Sequence, residues 1–154
     1  MFQVVLYRPE IPPNTGNVIR MCANTGATLH LIHPLGFSMD DARLRRAGLD
    51  YREYADVTEH PDLDAFLETS HPGRLFALSG SGSRWHTGCD FRGGDAFLFG
   101  PESVGLDNRV LTHEAVTDVL RIPMLPQRRS LNLANSVAIV LFEAWRQLDF
   151  PGGV

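Results

Sequence analysis

Apolar residues along this chain fall into short runs that alternate with longer amphipathic stretches. Phe2–Tyr7 (FQVVLY), Thr28–His33 (TLHLIH), Leu75–Leu78, Ala96–Phe99 and Val119–Ile122 are short, apolar and bounded by Pro, Gly or polar residues. Such runs suit strands covered on both faces. Between them, Val18–Asn24 reads as a helix, entered through Asn14-Thr15-Gly16-Asn17 and ended by Gly26. Pro9, Pro12 and Pro13 before it predict a stiff loop, since proline cannot continue a helix. Further helices are predicted from an Asp40 cap to Ala47 with Gly48 as the stop, over Val57–Leu67, and over Leu106–Leu111.

The last helix carries the strongest pattern. Leu131, Ala134, Ala138, Leu141, Trp145 and Leu148 recur at spacings of three and four, which makes one apolar face. Ser130 is the predicted N-cap. Asn132 and Asn135 stand out in the first turns, because Asn is a poor helix former. Val137–Phe142 is apolar all round, so the helix is expected to be buried on more than one side.

Strands alternating with helices predict a single α/β domain, residues 1–154, with a mainly parallel sheet flanked by helices. Ligands of such sheets bind outside the carboxyl ends of the strands. Three loops marked by Gly or Pro leave there: Ser79-Gly80 after Leu78, Gly100-Pro101-Glu102 after Phe99, and Pro123 after Ile122. Together they predict a ligand cradle, with Gly allowing close backbone approach.

Charge narrows the choice of ligand. The chain has a net charge of −4, and all fourteen of its basic residues are Arg. A nucleic-acid partner therefore requires a local Arg patch rather than a global field. Cys22 and Cys89 have no metal-type spacing and read as reduced thiols of a cytoplasmic protein. The six His residues show no ligand spacing, so no metal is expected. No apolar run approaches the ~20 residues of a membrane span. Neither a Walker A loop nor a dinucleotide fingerprint is present, and Ser81 and Ser83 lack a nucleophile-elbow context.

Three segments carry a family resemblance that spans nearly the whole chain: Asn14-Thr15-Gly16-Asn17-Val18-Ile19-Arg20, LFGPESVGL from Leu98 to Leu106, and IPMLPQRRSLNLANSVAIVLFEAW from Ile122 to Trp145. They resemble the three motifs of the SPOUT RNA methyltransferase superfamily. VLYRPEIPPNTGNVIRMCANTG near the start and LRRAGLDY from Leu44 to Tyr51 are similar to the small single-domain TrmL type. That subfamily methylates the ribose 2′-hydroxyl of the tRNA wobble nucleotide, C34 or U34.

The resemblance implies a C-terminal deep trefoil knot, with residues 75–150 approximately forming the knot and a homodimer interface. It implies S-adenosylmethionine as the cofactor, held by Leu78, Gly100, Ile122 and Ser130, with Met124 and Leu131 beside them. Arg20 matches the family's catalytic Arg, and Asn14, Glu102 and Asn132 would position substrate, Arg20 or cofactor. Arg43, Arg45, Arg46, Arg128 and Arg129, doubled by dimerisation, would supply the potential for tRNA. Where the family often carries a Tyr, this chain has Phe142, and no catalytic role is assigned there. The alternatives are methylation of another tRNA or rRNA site, an inactive RNA-binding homodimer, and a nucleotide-binding hydrolase or transferase that lacks its phosphate loop.

Overall fold

The computed structural model describes residues 1–46 and 56–154. Its elements in chain order are β1 (Gln3–Tyr7), α1 (Pro12–Thr25), β2 (Thr28–Ile32), α2 (Ala42–Arg45), β3 (Val57–His60), α3 (Leu63–Ser70), β4 (Arg74–Leu78), β5 (Arg84–Trp85), β6 (Asp95–Phe99), α4 (Asn108–Leu111), β7 (Val116–Arg121) and α5 (Leu133–Gln147). The strands form one seven-stranded sheet in the order β3-β2-β1-β6-β4-β7-β5. Every pairing is parallel.

Period-two alternation divides the core between two faces. Val4, Leu6, Phe76, Leu78, Phe97, Phe99 and Leu120 pack with α1, α2 and α5 residues such as Val18, Ile19, Leu44, Val137 and Leu141. Val5, Leu75, Ala77, Ala96 and Leu98 pack on the other face with Leu63, Phe66, Leu106 and Val110 from α3 and α4 and the loop before it. From β1 the chain steps outward to β2, whereas β6 and β4 lie on its other flank. The order therefore reverses between β1 and β6, and their carboxyl ends meet at Leu6 and Phe99. A reversal of this kind leaves a crevice for ligands.

Several elements differ from the sequence expectation, each for a local reason. Pro12 and Pro13 open α1 instead of lying in a loop before it. The first helical turn has no use for the missing N–H groups, and the fixed φ of proline suits it. Val57–His60 is a strand rather than the start of a helix, because it pairs with Leu29–Ile32 of β2. Pro61 disfavours the helical conformation at His60, and Asp62 starts α3 by accepting from the Ala65 amide at 2.8 Å. Asp41, not Asp40, caps α2 by accepting from the Arg43 amide at 2.8 Å. The expected end of that helix, Ala47 and Gly48, lies outside the described residues.

The cap of α5 is Asn132 rather than Ser130; its Oδ1 accepts from the Asn135 amide at 3.3 Å. An Asn that reads as a poor helix former inside the helix is a favoured residue at its cap. The apolar run in α5 is buried on one side only within a single chain. Val137, Val140 and Leu141 are in the core, while Ile139 and Phe142 remain 38% and 45% exposed. The two-residue β5 carries too little pattern to be read from sequence.

Two loops press against backbone. A Cβ on Gly100 would overlap the Gly105–Leu106 peptide, and one on Gly82 would come within 2.7 Å of the Leu120 carbonyl carbon. These approaches fold the segments after β6 and β4 tightly over the sheet's carboxyl edge.

Away from that edge, a buried histidine pair ties β2 to β3. His30 Nδ1 is 3.0 Å from His60 Nε2, and His30 Nε2 is 3.2 Å from the Thr28 hydroxyl. Phe66 of α3 packs edge-on against both rings. Burial, and then the neighbouring His60, push His30 down to about 4; burial lowers His60 as well. Between that value and the ordinary ~6.5 of an unfolded-chain His, the native state binds fewer protons than the unfolded state. The contribution of the neutral pair is thus present above pH ~6.5 and lost as pH falls towards 4. We expect the melting temperature to drop between pH 7 and 4.5, and His30→Gln to flatten that slope whatever its effect at pH 7. An unchanged slope in calorimetry would show that the pair does not control it.

Candidate functional site

A cleft of about 520 Å³ opens at the carboxyl edge of β4, β6 and β7. Leu78 and Ser79-Gly80 form one wall, Phe99 to Leu106 a second, and Ile122, Met124 and Ser130–Leu133 a third; Ile11, Asn14 and Ser136 complete it. The three loops singled out from sequence therefore converge. The cleft gathers Leu78, Gly100, Ile122, Met124, Ser130 and Leu131, and with them Asn14, Glu102 and Asn132, from segments more than a hundred residues apart.

The polar members form a connected network. Glu102 Oε2 accepts from the Glu10 amide at 2.7 Å. Its Oε1 accepts from the Ile11 amide at 3.0 Å and from Asn14 Nδ2 at 3.4 Å. Asn14 Oδ1 in turn accepts from Asn132 Nδ2 at 2.9 Å. One carboxylate thus satisfies amides at the entrance of α1, which has no side-chain cap of its own. Through Asn14 it also reaches the cap of α5.

The clasp is reciprocal. Glu10 Oε1 accepts from the Ser103 amide at 3.0 Å and from its hydroxyl at 2.7 Å. Those two bonds, side chain first, hold the Glu10 carboxyl below its ordinary value. Sequence reasoning missed Glu10 and Ser103. Before a Pro-Pro pair, Glu10 reads as a solvated loop residue, and its partner lies 93 positions away. Only the fold brings the two together.

Among the described residues, the lining of the cleft contains no Arg or His, and Glu102 is its only ionisable side chain. Apolar walls, main-chain groups at Gly80, Gly100 and Gly105 and a single carboxylate suit a ligand that is neutral or cationic at this point. They do not suit a polyphosphate, which needs cations or a Gly-rich anion loop. Its volume lies within the few hundred to one thousand Å³ common for small-molecule sites.

The arginines lie outside the cleft. Arg20 is exposed on α1 and does not line it. It lies six residues beyond Asn14, about 9 Å along the helix axis at the standard rise. Arg128 and Arg129 are exposed just before Ser130, next to a Gln127 held at φ 60°. On α2, Arg43 pairs with Asp41 at 3.0 Å and Arg45 with Asp40 at 3.5 Å, and Arg46 is exposed. Exposed pairs of this type are weak, so these guanidinium groups can exchange partners.

Among the described residues, no group of three His, Cys, Asp or Glu side chains could hold a metal, and no helix is long and apolar enough to cross a membrane.

Comparison with known proteins agrees with this geometry. The chain is 54% identical over 154 residues to tRNA (cytidine(34)-2′-O)-methyltransferase of Escherichia coli K12, covering all of this chain and 98% of the relative. It is 59% identical over 156 residues to the protein of the same name from Burkholderia cenocepacia, with 99% of each covered. A solved structure described as giving insights into the 2-OH methylation of C/U34 on tRNA superposes with a TM-score of 0.88 at 47% identity, over 97% of each chain. The SpoU methyltransferase AviRb of Streptomyces viridochromogenes, in complex with AdoMet, superposes with a TM-score of 0.83 at 26% identity, over 96% of this chain and 60% of that one. A family model described as the SpoU rRNA Methylase family matches residues 1–142. On that match and these full-length relatives, the chain belongs to the SpoU methylase family.

Proposed function

We propose that this protein transfers a methyl group from S-adenosylmethionine to the ribose 2′-hydroxyl of nucleotide 34 of tRNA, at cytidine or uridine. The observation that carries this reading is the full-length identity of 54% to a tRNA (cytidine(34)-2′-O)-methyltransferase. The cleft's lining suits that cofactor: its apolar walls would take the adenosine, its main-chain groups could serve the base edges, and no guanidinium lines it to oppose a sulfonium. When bound, S-adenosylmethionine supplies an activated methyl group.

Leu78, Gly100, Ile122 and Ser130 are the proposed cofactor contacts, flanked by Met124 and Leu131. The chain's own work is alignment and proton removal. As a new bond forms from the 2′-oxygen to the methyl carbon, the carbon–sulfur bond breaks and the hydroxyl proton must leave. Arg20 is the proposed catalytic residue. A guanidinium stays protonated at neutral pH and cannot act as a bare base. We assign it to clamp an RNA phosphate whose oxygen helps take the proton, or to orient the hydroxyl. Asn14, Glu102 and Asn132, bonded to one another, would position sugar, Arg20 or cofactor. Arg43, Arg45, Arg46, Arg128 and Arg129 supply the local positive potential for tRNA in a net acidic chain.

The same reading includes a homodimer, a trefoil knot within residues 75–150 and a cytoplasmic setting. The exposed Ile139 and Phe142 on α5 favour the dimer. The tight crossing of the Gly82 loop over the Leu120 backbone favours the threaded path.

Labelled methyl transfer to tRNA from cells lacking this protein, mapped by nuclease digestion and mass spectrometry, is expected to mark the 2′-oxygen of position 34. Label at another nucleotide would overturn the site assignment, and no label on suitably modified tRNA would favour an inactive binder. In that assay Arg20→Lys should lose at least tenfold in kcat with cofactor affinity intact; near-normal turnover would remove Arg20 from the mechanism. Neutralising Arg43, Arg45 and Arg46 should weaken tRNA binding and flatten its salt dependence without moving the cofactor Kd. For the dimer, Ile139→Glu combined with Phe142→Glu should give folded monomers in sedimentation equilibrium, and a persistent dimer would place the interface elsewhere.

A further inference from the structure

Trp85 is 59% exposed at the end of β5, the outermost strand of the sheet. The other tryptophan provides a contrast: Trp145 donates from its indole to the Pro151 carbonyl and packs edge-on against Phe142 and Phe150. Among the described residues, the Trp85 side chain has no hydrogen bond, ring contact or cation partner, and the strand is held only through its pairing with β7. A single exposed aromatic is ordinary on a protein surface; here a second group stands beside it.

That second group is Arg121. It pairs in parallel register with Trp85, so the two side chains leave the same face of the sheet. Arg121 has no carboxylate partner among the described residues, and its Nε is buried without a hydrogen bond. Arg84, by contrast, has a carboxylate nearby, Asp118 at 3.5 Å. Alternation identifies the face: Leu120 and Ile122 pack on the α1/α5 side, whereas Val119 packs with α3 and α4. Trp85 and Arg121 therefore face the α3/α4 side, away from Ile139 and Phe142. An α5-mediated dimer leaves them open.

Neither residue lines the cleft, but each lies on a segment that does. Arg121 is the last residue of β7, and the next residue, Ile122, lines the cleft. The loop that leads to Trp85 begins with Ser79 and Gly80, which line it too. An indole and a guanidinium without a carboxylate partner, on segments that continue from two cleft walls, match the two parts of a nucleotide in single-stranded RNA. Bases stack on aromatic faces, and phosphates take Arg.

We propose that Trp85 and Arg121 hold a nucleotide next to the one being methylated, Trp85 by stacking on its base and Arg121 by bonding its phosphate. This rests on the RNA methyltransferase reading above and adds a second grip on the RNA, independent of Arg20 and of the α2 arginines.

The test uses the full chain with tRNA from cells lacking the protein. Trp85→Ala should weaken tRNA binding about tenfold or more, the usual yield of one base–aromatic stack, and raise KM for tRNA with the S-adenosylmethionine Kd unchanged. Trp85→Phe should recover most of the loss. Arg121→Gln should reduce the slope of log K against log salt by about one. A purely structural role would not produce the optical signature: tRNA should quench the tryptophan emission of Trp145→Phe, which keeps Trp85, but not that of Trp85→Phe. Unchanged tRNA affinity and KM in Trp85→Ala would overturn this inference alone. A wild-type chain that binds S-adenosylmethionine but no tRNA would overturn it together with the reading beneath it.

Discussion

The site depends on one carboxylate. Glu102 leaves the loop after β6 and accepts from two main-chain amides at the entrance of α1 and from Asn14 inside it. Without this acceptor, the Glu10 and Ile11 amides just before α1 would lose their partner. Glu10 returns the bond to Ser103, so the two loops hold each other from both sides. Asn14 then passes the constraint to Asn132, which also caps α5. Three loops from distant parts of the chain are fixed by a single hydrogen-bonded path. The cleft is preorganised because two of the segments that line it, Ile11–Asn14 and Ser130–Leu133, also start helices.

The topology explains why those loops meet. Strand order reverses between β1 and β6, and the segments that follow them bond to each other through Glu10, Glu102 and Ser103, beside the cleft that opens at the carboxyl ends of β4, β6 and β7. The two core faces then divide the surface. One side carries α1 and α5, with Ile139 and Phe142 left open. The other carries α3 and α4, with Trp85 and Arg121 at its margin. The cleft lies at the shared edge, where both sides can reach a ligand that extends out of it.

Much of this was legible in the residues. Short apolar runs gave the parallel strands, and the Gly- and Pro-marked loops gave the cleft, because strand ends and turn residues are local properties. What escaped was set by partners far along the chain. Val57–His60 looks helical until β2 is available to pair with it. Asn132 looks like an unfavourable helix residue until it becomes the cap. Glu10 and Trp85 carry no periodic signal at all; one acts through a bond across 93 positions and the other through a two-residue strand.

The distribution of charge follows from the reaction proposed. A methyl donor that is itself a cation is opposed by a guanidinium beside it, while an RNA acceptor needs cations close by. Within the low-dielectric cleft that repulsion would be weakly screened. The chain meets both demands by separation. The cleft contains one carboxylate and no cationic side chain among the described residues, whereas Arg20, Arg121, Arg128 and Arg129 stand outside it on the segments that border its walls. Cationic side chains are thus kept out of the cleft and left to the segments around it. A net charge of −4 is then no obstacle to RNA binding, because affinity depends on the few guanidinium groups that reach the backbone and not on the sum over the surface.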